Sequence, residues 1–534
     1  MTPWQAASQF KLIAVALAEQ LPTMEEWFSL CLIALLTLLA ISFLKLLSAR
    51  NNRPKKLLPP GPWTLPIIGS LHHVVSVLPH RTMADLSRRH GPLMHLRLGE
   101  VPTLVVSNAE VAALVMKTND LAFAGRPRSA TQEIFGSRGR DIAFAPYGEP
   151  WRQMRKVCVM ELLGSKQARR AEAIKAEEVG NLVRSIAAAA SAGATVNVSQ
   201  MVTALSNDVV CRAVFGGKFT RQKEFIRELH QAMELVAGFC LVDLFPSWRL
   251  ARWLSNGERR LRRSHGRIER IIADTVQERK AARAARGGDC CTDEEDLLGV
   301  LLRLQREDSL EFPLTTEIIG AVLFDVFAGG TITTATILEW AMSELVNNPK
   351  AMAKAQLEIR VVLGEDRAVI TNGDIAELQY LRMVIKEAFR LHPPFPLVPR
   401  RAREDCTVMG YDMLKDTNVL VNIFAISRDP RSWKNPEEFE PERFENNIMD
   451  YYGAYFELIP FGAGRRQCPG MLFSTSTVHI TLANLLYHFD WMLPDGDSLA
   501  SFDMSEKFGL TVNRRNDLQL RAIPHAGFKA TSSK

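Results

Sequence analysis

A single membrane-spanning helix followed by one large, mainly α-helical domain with small β-sheets is the fold class this 534-residue chain predicts. Three observations carry it. An uncharged apolar stretch lies near the N-terminus, long helical patterns dominate the rest, and short alternating segments punctuated by Gly and Pro come early. The hydrophobic fraction is 47% and the charged fraction 23%, ample for a large core. At roughly 150 residues per domain, length alone suggests about three domains, but one large-core enzyme fits equally.

The anchor comes first. From Trp27 to Leu44 no residue is charged, close to the ~20 positions a bilayer-spanning helix needs. Leu46 and Leu47 extend the stretch past Lys45, whose long stem reaches the headgroups. Glu25 and Glu26 precede it, and Lys45, Arg50, Arg53, Lys55 and Lys56 follow. The positive-inside rule places the C-terminal side in the cytosol. The expected order is a lumenal segment 1–26, an anchor 27–47, a basic and Pro-rich hinge 48–64, and a domain 65–534. A cleaved signal peptide is disfavoured, because the stretch is long and no small-x-small site follows it. Pro59-Pro60-Gly61-Pro62 should form a stiff spacer.

Within the domain, Leu93–Leu98 and Thr103–Ser107 alternate around Gly99-Glu100-Val101-Pro102, which predicts a hairpin. Helical patterns run over Gln167–Ala190 and Glu258–Arg286. Lys280–Asp296 switches from basic to acidic through Gly287-Gly288 and should be an exposed loop. Phe239–Trp253, with Pro246 inside it, is either a membrane-touching surface near a substrate entrance or an internal helix junction.

Composition narrows the function classes. A net charge of +6 is too diffuse to argue for nucleic acid. The eight cysteines are Cys31, Cys158, Cys211, Cys240, Cys290, Cys291, Cys406 and Cys468. None has zinc-site spacing, and the neighbours Cys290 and Cys291 are poorly placed to bridge each other. Seven read as reduced thiols.

Cys468 differs because of its surroundings, Pro460-Phe461-Gly462-Ala463-Gly464-Arg465-Arg466-Gln467-Cys468-Pro469-Gly470. Gly462 and Gly464 let the backbone approach a flat macrocycle and adopt conformations closed to larger residues. Backbone N–H groups can stabilise a thiolate. Arg466 can neutralise a carboxylate on a cofactor rim, and Phe461 can shield the sulfur. A helix expected over Met471–Leu486 would favour anionic sulfur at its N-terminus. The plainer alternative is a Gly/Pro turn holding a buried cysteine.

The pattern Phe461, Gly464, Arg466, Cys468, Gly470 resembles the haem-binding signature of the cytochrome P450 superfamily. Glu387-Ala388-Phe389-Arg390 followed by Leu391-His392-Pro393-Pro394 resembles its ExxR motif, and Pro441-Glu442-Arg443-Phe444 its next element. The resemblance implies a structural triad of Glu387, Arg390 and Arg443. Trp151-Arg152-Gln153-Met154-Arg155 is similar to the family's WxxxR helix, so Trp151, Arg155 and Arg400 are expected at the haem propionates. Phe327-Ala328-Gly329-Gly330-Thr331-Ile332-Thr333-Thr334 lies where the family's long oxygen-binding helix belongs. There Gly330 would open the helix and Thr333 would relay protons. The residue before that threonine is usually acidic in the family; here it is Ile332, leaving Thr331, Thr334 or ordered water to help.

Overall the chain is similar to the plant microsomal branch, and within it to grass enzymes of specialised metabolism, some of which act on labdane-related diterpenes in defence. The resemblance implies a haem-thiolate fold, haem b on Cys468, and hydroxylation of an apolar plant metabolite with O2 and NADPH. Two alternatives remain: an O2-independent haem-thiolate isomerase or dehydratase, and a non-catalytic haem-binding membrane protein. No nucleotide or flavin fingerprint is present, so electrons should come from a separate NADPH-cytochrome reductase, with cytochrome b5 as a further partner. The expected location is the endoplasmic reticulum membrane, as a single-pass monomer with its catalytic domain in the cytosol. Expected pocket residues are Ile142, Phe144, Phe324, Gly329, Phe395, Leu397 and Leu510.

Overall fold

The computed structural model describes residues 57–525 except 219–220, 238, 286–295, 309, 366 and 495–497, together with Ser29, Leu32, Ile33 and Thr37. The expected lumenal segment and, but for those four residues, the expected anchor lie outside the described residues. So do residues 48–56 of the hinge and most of the 280–296 loop. The chain divides into Met1–Leu57 and Leu58–Lys534, and the second unit holds all the helices and sheets that shape the site.

Its helices of eight residues or more, among the described residues, are α1 Pro79–His90, α2 Glu149–Val157, α3 Ser165–Ser191, α4 Val198–Phe215, α5 Gln222–Leu235, α6 Asn256–Ala285, α7 Leu297–Glu307, α8 Thr316–Asn347, α9 Pro349–Leu363, α10 Gln379–Leu391 and α11 Met471–His488. Helix α8 is the organising element. Thr315 caps its first turn, and most of its residues from Val322 onwards are buried. It is long and apolar enough to cross a membrane, yet 61% of its most apolar window is buried in the protein, the character of a core helix. Pro150 opens α2, where a missing N–H costs nothing. Helix α10 stops at His392, because Pro393 disfavours helical backbone before it.

The main sheet has four strands: β1 Leu93–Leu98, β2 Val101–Val106, β3 Leu397–Arg401 and β4 Asn418–Asn422. Their order is β1-β2-β4-β3, with β2 and β4 parallel and the other pairs antiparallel. The expected hairpin forms, but β2 starts two residues early and takes in Pro102. Gly99 has φ +64°, and a Cβ there would meet the Leu244 carbonyl oxygen at 2.4 Å.

The second half of the expected spacer is not free. Pro60 O accepts the His95 N–H at 2.8 Å, and a Cβ on Gly61 would lie 2.0 Å from His95 O. Phe239–Trp253 is divided between core and surface. Val242 and Phe245 are buried, whereas Trp248, Trp253 and Leu254 are exposed.

Candidate active site

The loop before α11 is shaped by sterics. Gly462 and Gly464 both have φ +67°. At Gly464 a Cβ would also lie 2.2 Å from Met116 O and 2.7 Å from Asp120 Oδ1. Cys468 N donates to Phe461 O at 2.9 Å, closing the loop. Phe461 packs on Phe389 and Tyr451, with ring centroids 5.1 and 5.6 Å apart. Burial pushes the Cys468 thiol up, while the Gly470 N–H and Arg155 pull it down.

Cys468 opens into a cavity of about 280 Å³. Of the expected pocket residues, Ile142, Phe144, Gly329, Phe395 and Leu510 line it, as do Trp151, Arg155, Gly330, Thr333, Phe461, Arg466 and Gly470. Phe324 and Leu397 do not. Phe324 turns into the core against Phe135 and His265, at 4.8 and 4.9 Å. Leu397 joins the cluster of Met83, Leu96 and Phe245. Side chains alternate along β3, so Val398 faces the cavity instead. Phe135 and Phe473 are further wall residues; no local motif marks them.

On α8 the glycines divide in role. A Cβ on Gly329 would meet nothing within 4 Å, whereas one on Gly330 would lie 2.7 Å from Val210 Cγ2. Gly330 therefore permits close approach of α4. The Thr333 hydroxyl donates to Gly329 O. Thr331 accepts from Asn207 Nδ2 at 3.1 Å, and Thr334 shares a hydrogen bond with Ser474 at 3.0 Å. Neither threonine lines the cavity. Ile332, 1% exposed, sits in an apolar cluster with Phe327 and Val210.

Arginines gather at one end of the cavity. Arg466 donates to the carbonyls of Ala124, Ile142 and Ala145 at 3.0, 3.3 and 2.6 Å. Arg400 donates to Ala463 O at 2.8 Å but leaves Nε and Nη1 buried without a partner. Arg155 donates to Gln467 O. Arg126, which no sequence motif marks, donates to Ala143 O at 2.8 Å and to Pro399 O. Burial, with repulsion from Arg126 and Arg400, pushes Arg466 down to about 8. Burial also pushes Arg400 to about 9 and Arg126 to about 10. Guanidinium groups do not give up protons in proteins, so these shifts express a demand for anions. Two carboxylates on one cofactor edge meet that demand. Among the described residues no group of three or more His, Cys, Asp or Glu could hold a metal ion. A lone cysteine sulfur beside an arginine cradle fits an iron whose other ligands belong to a macrocycle.

Behind the loop, Glu387 and Arg390 are both fully buried and paired through two hydrogen bonds of 2.7 and 2.8 Å. Arg443 Nε donates to Glu387 Oε1 at 2.9 Å. Arg390 also reaches the carbonyls of Ser427, Pro436 and Glu438. The structure thus brings the three residues of the expected triad into direct contact.

The Cytochrome P450 family profile matches residues 59–518. The chain is 46% identical over 90% of its length to desmethyl-deoxy-podophyllotoxin synthase of Sinopodophyllum hexandrum, covering 95% of that protein. It is 45% identical over 91% of its length to the ent-cassadiene hydroxylase of Oryza sativa subsp. japonica, again covering 95%. A zebra fish cytochrome P450 structure with progesterone superposes with a TM-score of 0.72 at 26% identity, over 84% of this chain and 99% of that one. With a family match across nearly the whole second unit and plant relatives of such identity, the chain belongs to the cytochrome P450 family and is a haem-thiolate monooxygenase.

Proposed function

We propose that this enzyme hydroxylates an apolar plant specialised metabolite of the labdane-related diterpene class: R–H + O2 + NADPH + H+ gives R–OH + NADP+ + H2O. The observation that carries this reading is the cavity beside Cys468. Away from the arginine cradle its walls are apolar, with Asp325, Thr333 and Ser474 the main polar side chains. Such walls suit a hydrocarbon skeleton. One relative's name as an ent-cassadiene hydroxylase supports the substrate class.

Cys468 would hold haem b, which would supply oxygen activation. The Gly470 N–H steadies the sulfur, and Gly464 lets the loop come close. Arg126, Arg155, Arg400 and Arg466 would hold the two propionates, and Trp151 lies against the Arg466 guanidinium. Glu387, Arg390 and Arg443 lock the structure behind the cysteine loop. Thr333 is the cavity hydroxyl that would move protons, and Gly329 leaves room for substrate beside it. Ile142, Phe144, Phe395 and Leu510 hold the substrate close to the reacting centre.

Electrons come from a separate NADPH-cytochrome reductase, with cytochrome b5 as a second donor. The enzyme is a monomer held in the endoplasmic reticulum membrane by the anchor 27–47. The exposed Trp248, Trp253 and Leu254 suit contact with that membrane.

Membranes carrying the enzyme, supplied with reductase, NADPH and a panel of labdane-related diterpene hydrocarbons, should yield products with one added oxygen by mass spectrometry. Product formed without NADPH would favour the O2-independent reading. Cys468→Ser should abolish the red-shifted reduced-CO band that thiolate ligation gives, and a surviving band would overturn the ligand assignment.

A further inference from the structure

Residues 141–145 form neither helix nor strand, yet they supply Ile142 and Phe144 to the cavity wall. Their backbone is held by side chains on both sides. On the carbonyl side, Ile142 O accepts from Trp151 Nε1 and Arg466, Ala143 O from Arg126, and Ala145 O from Arg466. On the amide side the holders are carboxylates. Asp325 Oδ2 accepts from Ile142 N at 2.6 Å and from Ala143 N at 3.1 Å. Asp141 Oδ2 accepts from Phe144 N at 2.8 Å.

Asp325 stands in an otherwise apolar run of α8, Val322-Leu323-Phe324-Asp325-Val326-Phe327, and among the described residues is the one carboxylate that lines the cavity. A carboxylate on an apolar cavity wall is costly unless hydrogen-bonded, and two successive amides provide those bonds. Neither propionate binding nor proton relay uses it. We propose that Asp325 is a positioning residue that clamps the 141–145 segment to α8 and thereby sets the shape of the substrate pocket at Ile142 and Phe144.

The clamp is asymmetric. Asp141 Oδ1 is buried without a partner, and burial together with the charge of Asp325 pushes its carboxyl well up. Burial pushes Asp325 up to about 6, against the pull of the two amides, His265 and Arg126. The segment is strung between the Asp325 carboxylate and two cradle arginines, so pocket shape is tied to the arginine end of the cavity.

The inference rests on the cavity taking apolar ligands, and two measurements separate the two ideas. The first is amide hydrogen exchange over peptides spanning 141–145 in the holoenzyme. Asp325→Ala should speed it at least tenfold, and Asp325→Asn, which keeps an acceptor, by less. Asp141→Asn, which keeps an acceptor for Phe144 N, should stay within about threefold of wild type. The second is spectral titration with two azoles, imidazole as a small ligand and clotrimazole as a large apolar one. Asp325→Ala should weaken clotrimazole about tenfold and leave imidazole within twofold. Unchanged exchange in Asp325→Ala, or equal weakening of both azoles, would overturn the clamp. Equal loosening by Asp141→Asn would overturn the assignment to Asp325. Should Asp325→Ala not fold, Asp325→Asn carries the same comparison. Failure of wild-type enzyme to bind clotrimazole would count against the apolar pocket, while the exchange result still decides the clamp.

Discussion

Arg400 and Ala463 share one hydrogen bond of 2.8 Å, and that bond is all that holds the Arg400 guanidinium, whose Nε and Nη1 face no partner. Its side chain is 1% exposed. A buried, uncompensated charge destabilises the protein around it, so replacing it by an apolar side chain of similar size should stabilise. Arg400→Met should therefore raise the thermal midpoint of haem-depleted protein. The same change removes a charge-assisted hydrogen bond to a propionate, about 1.5–3 kcal/mol. Haem should then transfer to a competing apoprotein at least tenfold more readily, read by the Soret band. Opposite signs in the two measurements are the outcome to look for.

Glu387→Gln weakens the contacts to Arg390 and Arg443 at once, leaving two guanidinium groups without their anion. Breaking a buried ionic network costs about 3–5 kcal/mol. Yield of haem-loaded enzyme should collapse. Glu387→Asp should recover part of it, as judged by the reduced-CO band.

Ile332 occupies the position where an acid is usual in the family, yet its side chain is buried in the same apolar cluster as Phe327 and Val210. Ile332→Asp would place a carboxyl among apolar neighbours, at a cost of a few kcal/mol without a partner. It should lower the thermal midpoint by several degrees and leave product formed per NADPH unimproved. A rise in that ratio would show that the new carboxyl reaches the cavity.

Lys175 is fully buried, with its ammonium donating to Phe473 O and Ser476 Oγ at 3.1 and 3.0 Å. Burial pushes it down to about 7, against about 10.4 for an unfolded chain. Between those values the unfolded chain binds the extra proton, so stability rises with pH across this window and is lowest below pH 7. The slope from one such group approaches about 1.4 kcal/mol per pH unit. Lys175→Met should flatten that rise, measured as the denaturation midpoint from pH 6.5 to 9.5.

The cysteine loop was legible because its constraints are local. Gly464 must be glycine both for its φ and for the contact with Met116, and the spacing to Arg466 and Cys468 follows from one short turn. Helices α3, α6 and α11 fall within two residues of their predicted bounds, because helical periodicity is carried by each segment alone. Leu397 failed for a reason of register: shifting by one residue along a strand changes the face, and the sequence does not say which face of β3 meets the cavity. Phe324 failed likewise, since a helix so deeply buried along its length offers little polar side from which to orient it.

By itself the amino-acid sequence determined the helical character of the domain and the glycine-bounded turn around Cys468, which depend on chemistry within a few residues of chain or on a pattern that recurs. The thiolate role, the Glu387 network and the motif arginines were implied by its resemblance to the family. Only the tertiary structure decided that Arg126 joins the cradle, that Gly330 serves helix packing, that Ile332 faces core and that Asp325 holds residues 141–145. Those roles arise between positions up to 273 residues apart, where burial removes water and each charge must find its partner across the fold.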